Sequence, residues 1–258
     1  MTIDRRTLLA ASGLALLPGL AVATTSLAEI RRRGHMIVAT TGANRPYTFV
    51  GPDNQLTGYD IDWTRIIAEG LGVEVRFNRL DWRGILPGLT AGQFDAVMSA
   101  VRITEERLAT FDFTEPYGLD DIVVVVPASN TTVQGIEGLR GLVVATATGS
   151  VQEAFARANA NARELRSLPG LPDMMLNLRN GMVDAAVAGR GGAADFIKTT
   201  GAALKIVGPG YQRGPLGMVL RKGSSEILAA INPIIARARA DGTYARLWDR
   251  WFGGPPPA

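Results

Sequence analysis

The run Ile103-Thr104-Glu105-Glu106-Arg107 ends on the side chain best suited to hold a carboxylate, a planar guanidinium whose donors match two oxygens at once. The same run also reads as a capped helix start with a surface charge, Thr104 serving the first turn and the glutamates favouring its dipole. Ser99, at the end of the apolar run before it, offers a hydroxyl to a ligand or is an ordinary strand-end serine. Gly149 and Ser150 open a stretch carrying Gln152 and Phe155, so N–H groups at that helix start can meet an anion; a plain N-cap at Ser150 is the equal alternative. Trp82 brings an aromatic plane, either against a ligand or into a core. Other chemistries are closed off. With no cysteine there is no disulfide, thiolate metal site or cysteine nucleophile, and the single histidine, His35, rules out multi-histidine metal sites. No phosphate-loop lysine motif, nucleophile elbow or metal-binding motif is present, and no cofactor is expected.

The elements that must position these residues alternate. Short β-branched runs predict strands over 37–41, 73–77, 96–100, 122–126, 142–146, 184–188, 204–207 and 217–221, with amphipathic stretches between most of them. Trp63, Ile66, Ile67 and Leu71 recur at helical spacing, as do Ile227, Leu228, Ile231, Ile234 and Ile235 near the end. This alternation predicts an α/β fold with mixed, mostly parallel sheets flanked by helices. Leu86-Pro87 through Gly92-Gln93-Phe94-Asp95-Ala96-Val97 is echoed by Leu171-Pro172 through Gly181-Met182-Val183-Asp184-Ala185-Ala186. Each copy reads as helix, glycine stop, tight turn and buried strand, so two similar lobes with a cleft between them are expected. Ligands of open α/β sheets sit beyond the carboxyl ends of strands, which directs attention to 99–107, 147–151 and 188–192.

Composition sets the outer limits. At 258 residues, 47% hydrophobic and 20% charged, the chain has apolar material for one large core or two small ones. A pI near 9.5 points toward nucleic acid, but the formal charge is only +3 and no Lys/Arg run exceeds Arg31-Arg32-Arg33, so no nucleic-acid partner is expected. Arg5-Arg6 precede an apolar stretch broken by Gly13, Pro18 and Gly19, followed by Ser26-Leu27-Ala28; residues 1–28 read as an export signal resembling the twin-arginine kind. A periplasmic location for the cleaved, nearly neutral chain follows.

Gly58-Tyr59-Asp60-Ile61-Asp62, Gly92-Gln93-Phe94-Asp95-Ala96, the run from Ile103 to Arg107 and Asp112-Phe113-Thr114-Glu115-Pro116-Tyr117 resemble the family 3 periplasmic solute-binding proteins, the amino-acid receptors of ABC importers. The resemblance extends to Ala240-Asp241-Gly242-Thr243-Tyr244. It implies a type II periplasmic-binding-protein fold with a two-strand hinge. Lobe 1 is then 29–121 plus 216–258 and lobe 2 is 122–215, the chain crossing near 120–123 and 214–218. It further implies a monomer that delivers a small carboxylate-bearing ligand to a permease in the inner membrane. By the same resemblance Arg107 clamps the ligand carboxylate and Trp82 lies against the ligand body, while Asn44 stands where many relatives carry an aromatic lid residue before the proline, here Pro46. Two positions depart from the family pattern. Gly189, followed by Arg190, occupies the place of the aspartate that holds an α-ammonium, and Arg102 replaces a Ser or Thr. Two or three arginines around one carboxylate favour an anionic ligand, an organic acid or an acidic amino acid; the alternative is that Arg102 and Arg190 face solvent or pair with Glu105, Asp184 or Asp195. Thr40-Thr41-Gly42 through Pro46-Tyr47 and the stretch from Glu153 to Asn159 also resemble periplasmic cyclohexadienyl dehydratase, but that enzyme's acidic pair would fall on Gly189 and Gly192, which carry no proton. The chain is therefore expected not to be an enzyme. A periplasmic sensor partner is the third reading.

Overall fold

A computed structural model describes residues 25–257. The expected export signal falls largely on 1–24, outside the described residues. In chain order the elements are α1 (Leu27–Arg33), β1 (His35–Thr40), β2 (Ala43–Asn44), β3 (Thr48–Val50), β4 (Leu56–Thr57), α2 (Tyr59–Leu71), β5 (Glu74–Arg79), α3 (Trp82–Thr90), β6 (Ala96–Val97), α4 (Glu105–Thr110), β7 (Phe111–Phe113) and β8 (Gly118–Pro127). They continue with β9 (Val143–Ala147), α5 (Val151–Asn159), β10 (Glu164–Leu168), α6 (Leu171–Arg179), β11 (Ala185–Gly189), α7 (Arg190–Thr200), β12 (Leu204–Leu216), β13 (Val219–Arg221), α8 (Ser225–Ala240) and α9 (Thr243–Phe252). None of the described helices is long and apolar enough to cross a membrane.

Two five-stranded sheets share one strand plan. The first runs β5-β1-β6-β13-β7 and the second β10-β9-β11-β8-β12. In each, four strands run one way and the fourth in order, β13 or β8, runs against them, pairing antiparallel with the third parallel strand on one side and with the edge strand on the other. The sequence echo has a physical cause: Asp95 and Asp184 end equivalent turns, each donating its backbone N–H to a neighbouring strand, to Ile37 O at 2.9 Å and Val143 O at 2.8 Å. Each also accepts from the same residue's N–H through its carboxylate, at 2.7 Å from Ile37 and 2.8 Å from Val143. An aspartate there fixes strand register twice over, once per lobe.

Apolar side chains cover both faces of each sheet. Trp63, Tyr59, Tyr117, Ile231, Ile235 and Trp248 pack one face of the first sheet and Ile85, Leu89, Phe94 and Phe113 the other. In the second, Val124, Val126, Phe155 and Val187 pack one face and Val123, Val125, Met175 and Leu178 the other. The two sheets are joined by β8 and β12, paired antiparallel from Gly118 opposite Leu216 to Pro127 opposite Leu204, with register shifts around Tyr211.

Some expected bounds shift for identifiable reasons. The strand expected over 96–100 stops at Val97 because Ala100 turns to φ +49° and gives its N–H to the buried Asp60 carboxylate at 2.7 Å. The strand expected over 204–207 continues to Leu216, bulging through Gly208-Pro209-Gly210. The edge strand β10 had no apolar run to announce it.

Candidate functional site

The carboxyl ends of strands from both lobes and the joining strand β8 border one cleft cavity of about 960 Å³, counting its open mouth. Thr41, Asn44, Trp82 and Ser99 line it from the first lobe and Ala147, Ser150, Gln152, Leu171, Gly189 and Gly192 from the second. The lobes meet across it. Arg45 Nε lies 3.0 Å from Asp195 Oδ2, and a Cβ at Gly192 would lie 2.8 Å from Asn44 Oδ1. A Cβ at Gly191 would lie 2.9 and 3.0 Å from the Tyr47 ring. Glycines at the start of α7 thus let the second lobe come close to β2 and Tyr47.

Most of the sequence candidates converge, in two groups. Asn44, Trp82, Ser99 and Ser150 line the cleft cavity. Ser99 is held there by Thr41, whose N–H donates to its hydroxyl at 3.2 Å and whose own hydroxyl lies 3.1 Å from it. Arg102, Arg107 and Gly149 line an adjoining groove, which meets the cleft cavity at Ser150. Arg107 donates from Nη1 to Arg102 O at 3.0 Å, and its guanidinium carbon stands 5.7 Å from the Trp82 ring centre. Burial and the neighbouring Arg102 charge lower its pKa, Glu106 opposing. No other described side chain or carbonyl accepts from its remaining donors.

Three expectations are corrected. Arg190 lines neither space: its Nε binds Asp121 Oδ2 at 3.1 Å, and Arg213 Nε binds the other oxygen at 2.8 Å. Burial alone would raise the Asp121 carboxyl, but these two arginines hold it below its ordinary range. The Gly149 N–H is not open to an anion, because Glu153 Oε2 takes it at 2.6 Å while Ser150 Oγ accepts from Glu153 N at 3.1 Å. This is a variant of the capping box in which the glutamate reaches the N–H one residue before the N-cap; the first-turn donors it leaves are the N–H groups of Val151 and Gln152. Arg102 is 6% exposed and faces the joining strand, not the cleft cavity: Nη1 donates to Gln212 O, and the guanidinium lies on Gly214. Its Nε has no partner among the described residues.

Sequence reasoning missed Asp120. This carboxylate sits on β8, lines the cleft cavity and accepts from Gly191 N at 3.1 Å. Its other oxygen fills the space where a Gly189 side chain would begin, with Gln152 Nε2 3.4 Å from that same point. Burial pushes its pKa up to about 6 against the Gly191 hydrogen bond and the Arg102 charge, which lower it. A carboxylate from the joining strand therefore occupies the space beside Gly189. The signal was the Asp120-Asp121 pair preceding an unbroken β-branched run, where one acid faces the cleft and the other its arginines. The charged lining of the cleft cavity among the described residues is Asp81, Asp120 and Asp173, with no cation. No described group of three histidines, cysteines or acids could hold a metal ion.

Comparisons with known proteins bear on this geometry. The family described as bacterial extracellular solute-binding proteins, family 3, matches residues 36–254. The L-cystine-binding protein TcyJ of Escherichia coli K12 is 31% identical over 256 residues, 97% of this chain and 96% of that protein. Among solved structures, an ancestral arginine-binding protein bound to arginine superposes with a TM-score of 0.82 at 34% identity, covering 86% of this chain and 99% of that one. The ancestral amino-acid-binding protein AncCDT-1, a precursor of cyclohexadienyl dehydratase, gives 0.81 at 33% identity over 89% of this chain and 100% of that one.

Proposed function

This chain belongs to the bacterial extracellular solute-binding proteins of family 3, and from that premise we propose that it is the receptor of an ABC importer for a small carboxylate-bearing metabolite. The observation that carries the reading is a single cavity lined from both lobes and from the strand that joins them. A ligand there contacts both halves at once, so its binding energy favours the closed state over the open one. Lobe 1 (29–121 and 216–258) moves against lobe 2 (122–215) about β8 and β12. The chain is exported, loses its signal and works in the periplasm as a monomer docking on an inner-membrane permease. Its described relatives are binding proteins, and this chain likewise binds rather than transforms its ligand.

The ligand carboxylate lies where the cleft cavity and the groove adjoin, at Ser150. In support of this, Arg107 approaches from one side with donors to spare and the first turn of α5 from the other, presenting the Val151 and Gln152 N–H groups. Trp82 and Asn44 cover the ligand body.

The test is a thermal-shift screen of the refolded mature chain against the L-amino acids, L-cystine, succinate, glutarate and prephenate, with product analysis of each hit. A shift with the compound recovered unchanged is expected; consumption of prephenate would replace the receptor reading with the dehydratase one.

A further inference from the structure

Resting on the receptor reading, we infer that Asp120 is the subsite for a protonated amine, so that the ligand is an amino acid and not a simple mono- or dicarboxylate. This reverses the anionic preference drawn from Arg102 and Arg190, neither of which faces the cleft cavity. The charge of the cavity argues for the same conclusion. Its lining holds three carboxylates and no cation among the described residues, and a dicarboxylate would bring two further negative charges beside Asp120.

The surroundings of Asp120 fit an acceptor kept ready for a cation. One oxygen is fixed by the Gly191 N–H at 3.1 Å, at the first turn of α7. No arginine or lysine pairs with it, although two arginines close on the adjacent Asp121. The nearest guanidinium group, that of Arg102, spends Nη1 on the Gln212 carbonyl. The second oxygen points at Gly189, where the absent side chain leaves room for it. Asp120 is half-buried, and a carboxylate withdrawn from water without a counter-charge is costly; desolvation raises the pKa of this one to about 6. An alkylammonium removes that cost, and one of its three donors suits the second oxygen, which accepts no hydrogen bond among the described residues. Placing the acid on β8 also ties amine capture to a strand shared by both lobes, and the Gly191 contact requires α7 to sit against that strand.

The geometry makes an exchange possible. A carboxylate moved from position 120 to 189 begins at the point that the Asp120 oxygen now fills, so Asp120→Ser combined with Gly189→Asp returns the charge to the same space from the other strand. The experiment measures affinity calorimetrically for each amino acid that binds the wild-type chain, beside its analogue lacking the amine: glutarate for L-glutamate, 5-guanidinopentanoate for L-arginine, 3-(imidazol-4-yl)propanoate for L-histidine. The wild type should prefer the amino acid by about 30-fold or more, as expected for one buried charge pair. Asp120→Asn, which keeps the Gly191 acceptor, should lose that preference, the amino acid binding more weakly and the analogue no more weakly than to the wild type, and the double variant should recover at least tenfold of the loss. Amino-acid affinity of Asp120→Asn within threefold of wild type overturns the inference. So does wild-type chain that binds glutarate or succinate but no amino acid, an outcome that leaves the receptor reading intact. Wild-type chain that binds none of these compounds overturns both.

Discussion

Replacing Gly191 by alanine places a methyl group against the Tyr47 ring only when the lobes are together, which makes it a selective probe of closure. The new Cβ would lie 2.9 Å from Tyr47 Cζ and 3.0 Å from Cε2, with the hydroxyl closer still. The ring cannot swing aside. It is 1% exposed, held edge-on against Tyr59 at 6.4 Å between centres and tilted against Phe252 at 5.3 Å. Overpacking of a rigid contact costs about 1–3 kcal/mol, and at about 1.4 kcal/mol per tenfold the closed, liganded form loses about 5- to 150-fold in affinity. The open form gains instead, since alanine in a helix is favoured over glycine by about 0.5–1 kcal/mol. The variant should therefore unfold at or slightly above the wild-type temperature without ligand, yet show weakened binding by titration and less ligand-induced compaction by small-angle scattering. Wild-type affinity with full compaction would refute the argument that this glycine–tyrosine contact belongs to the closed state.

Arg107→Ala should lower affinity about 30-fold or more, the cost of removing one partner of a buried charge pair, with the unliganded melting temperature within about 2 °C, a small change because the side chain makes one protein hydrogen bond; unchanged affinity in a calorimetric titration would remove it from the site. Asp60, whose carboxylate accepts from Tyr117 Oη at 2.9 Å and Ala100 N at 2.7 Å, is pushed by burial from 3.8 up to about 7. The native chain then holds a proton that the unfolded chain has lost, so this group's contribution to stability falls as pH rises from about 4 to about 7. Asp60→Asn should gain about 3 kcal/mol relative to wild type between pH 5 and pH 8 in urea unfolding, whereas a constant difference would contradict the assigned burial effect. At the other end of the fold, Ser26 caps α1, Leu27 is buried and Thr25 Oγ1 accepts from Arg221 Nη2 at 2.7 Å. A chain beginning at Glu29 should therefore melt about 5–15 °C below one beginning at Thr25, from about 2–5 kcal/mol of lost burial and capping; equal melting temperatures would mean that these three residues add nothing.

The fold was legible because its repeating unit is written in side chains with one job each. The glycine before each turn and the aspartate after it recur 89 residues apart, and both aspartates bind the same kind of strand N–H. Helices α2 and α8 announce themselves by apolar periodicity, and the trio of Ile231, Ile234 and Ile235 falls on a buried face as that periodicity requires. The short strands β2, β3 and β4 were invisible, since two or three residues cannot establish an alternation. The bulged course of β12 past Gly210 was hidden for a different reason: its glycines and proline read as a loop, and only pairing with β8 keeps it extended.

The site was less legible, and the reason lies in how two lobes make one cleft. A search of strand carboxyl ends finds Ser99, Ser150 and Gly189, because each lobe taken singly places its ligand loops there. It passes over the beginning of β8, which in a single sheet would be an ordinary strand entrance. Once a second lobe is attached through that strand, its entrance becomes the floor of the cleft, and Asp120 stands on it. The counting of charges failed for a related reason. The alternative that Arg102 and Arg190 pair away from the ligand named Glu105, Asp184 and Asp195 as partners, whereas the acceptors lie on the joining strands, Gln212 O for one and Asp121 for the other. Both guanidinium groups are thus engaged on β8 and β12, while the charge lining the cleft cavity from β8 is that of Asp120. A departure from a family pattern at one position is thus weak evidence about a ligand until the space it vacates has been searched for a replacement, and at Gly189 that space is filled by a carboxylate.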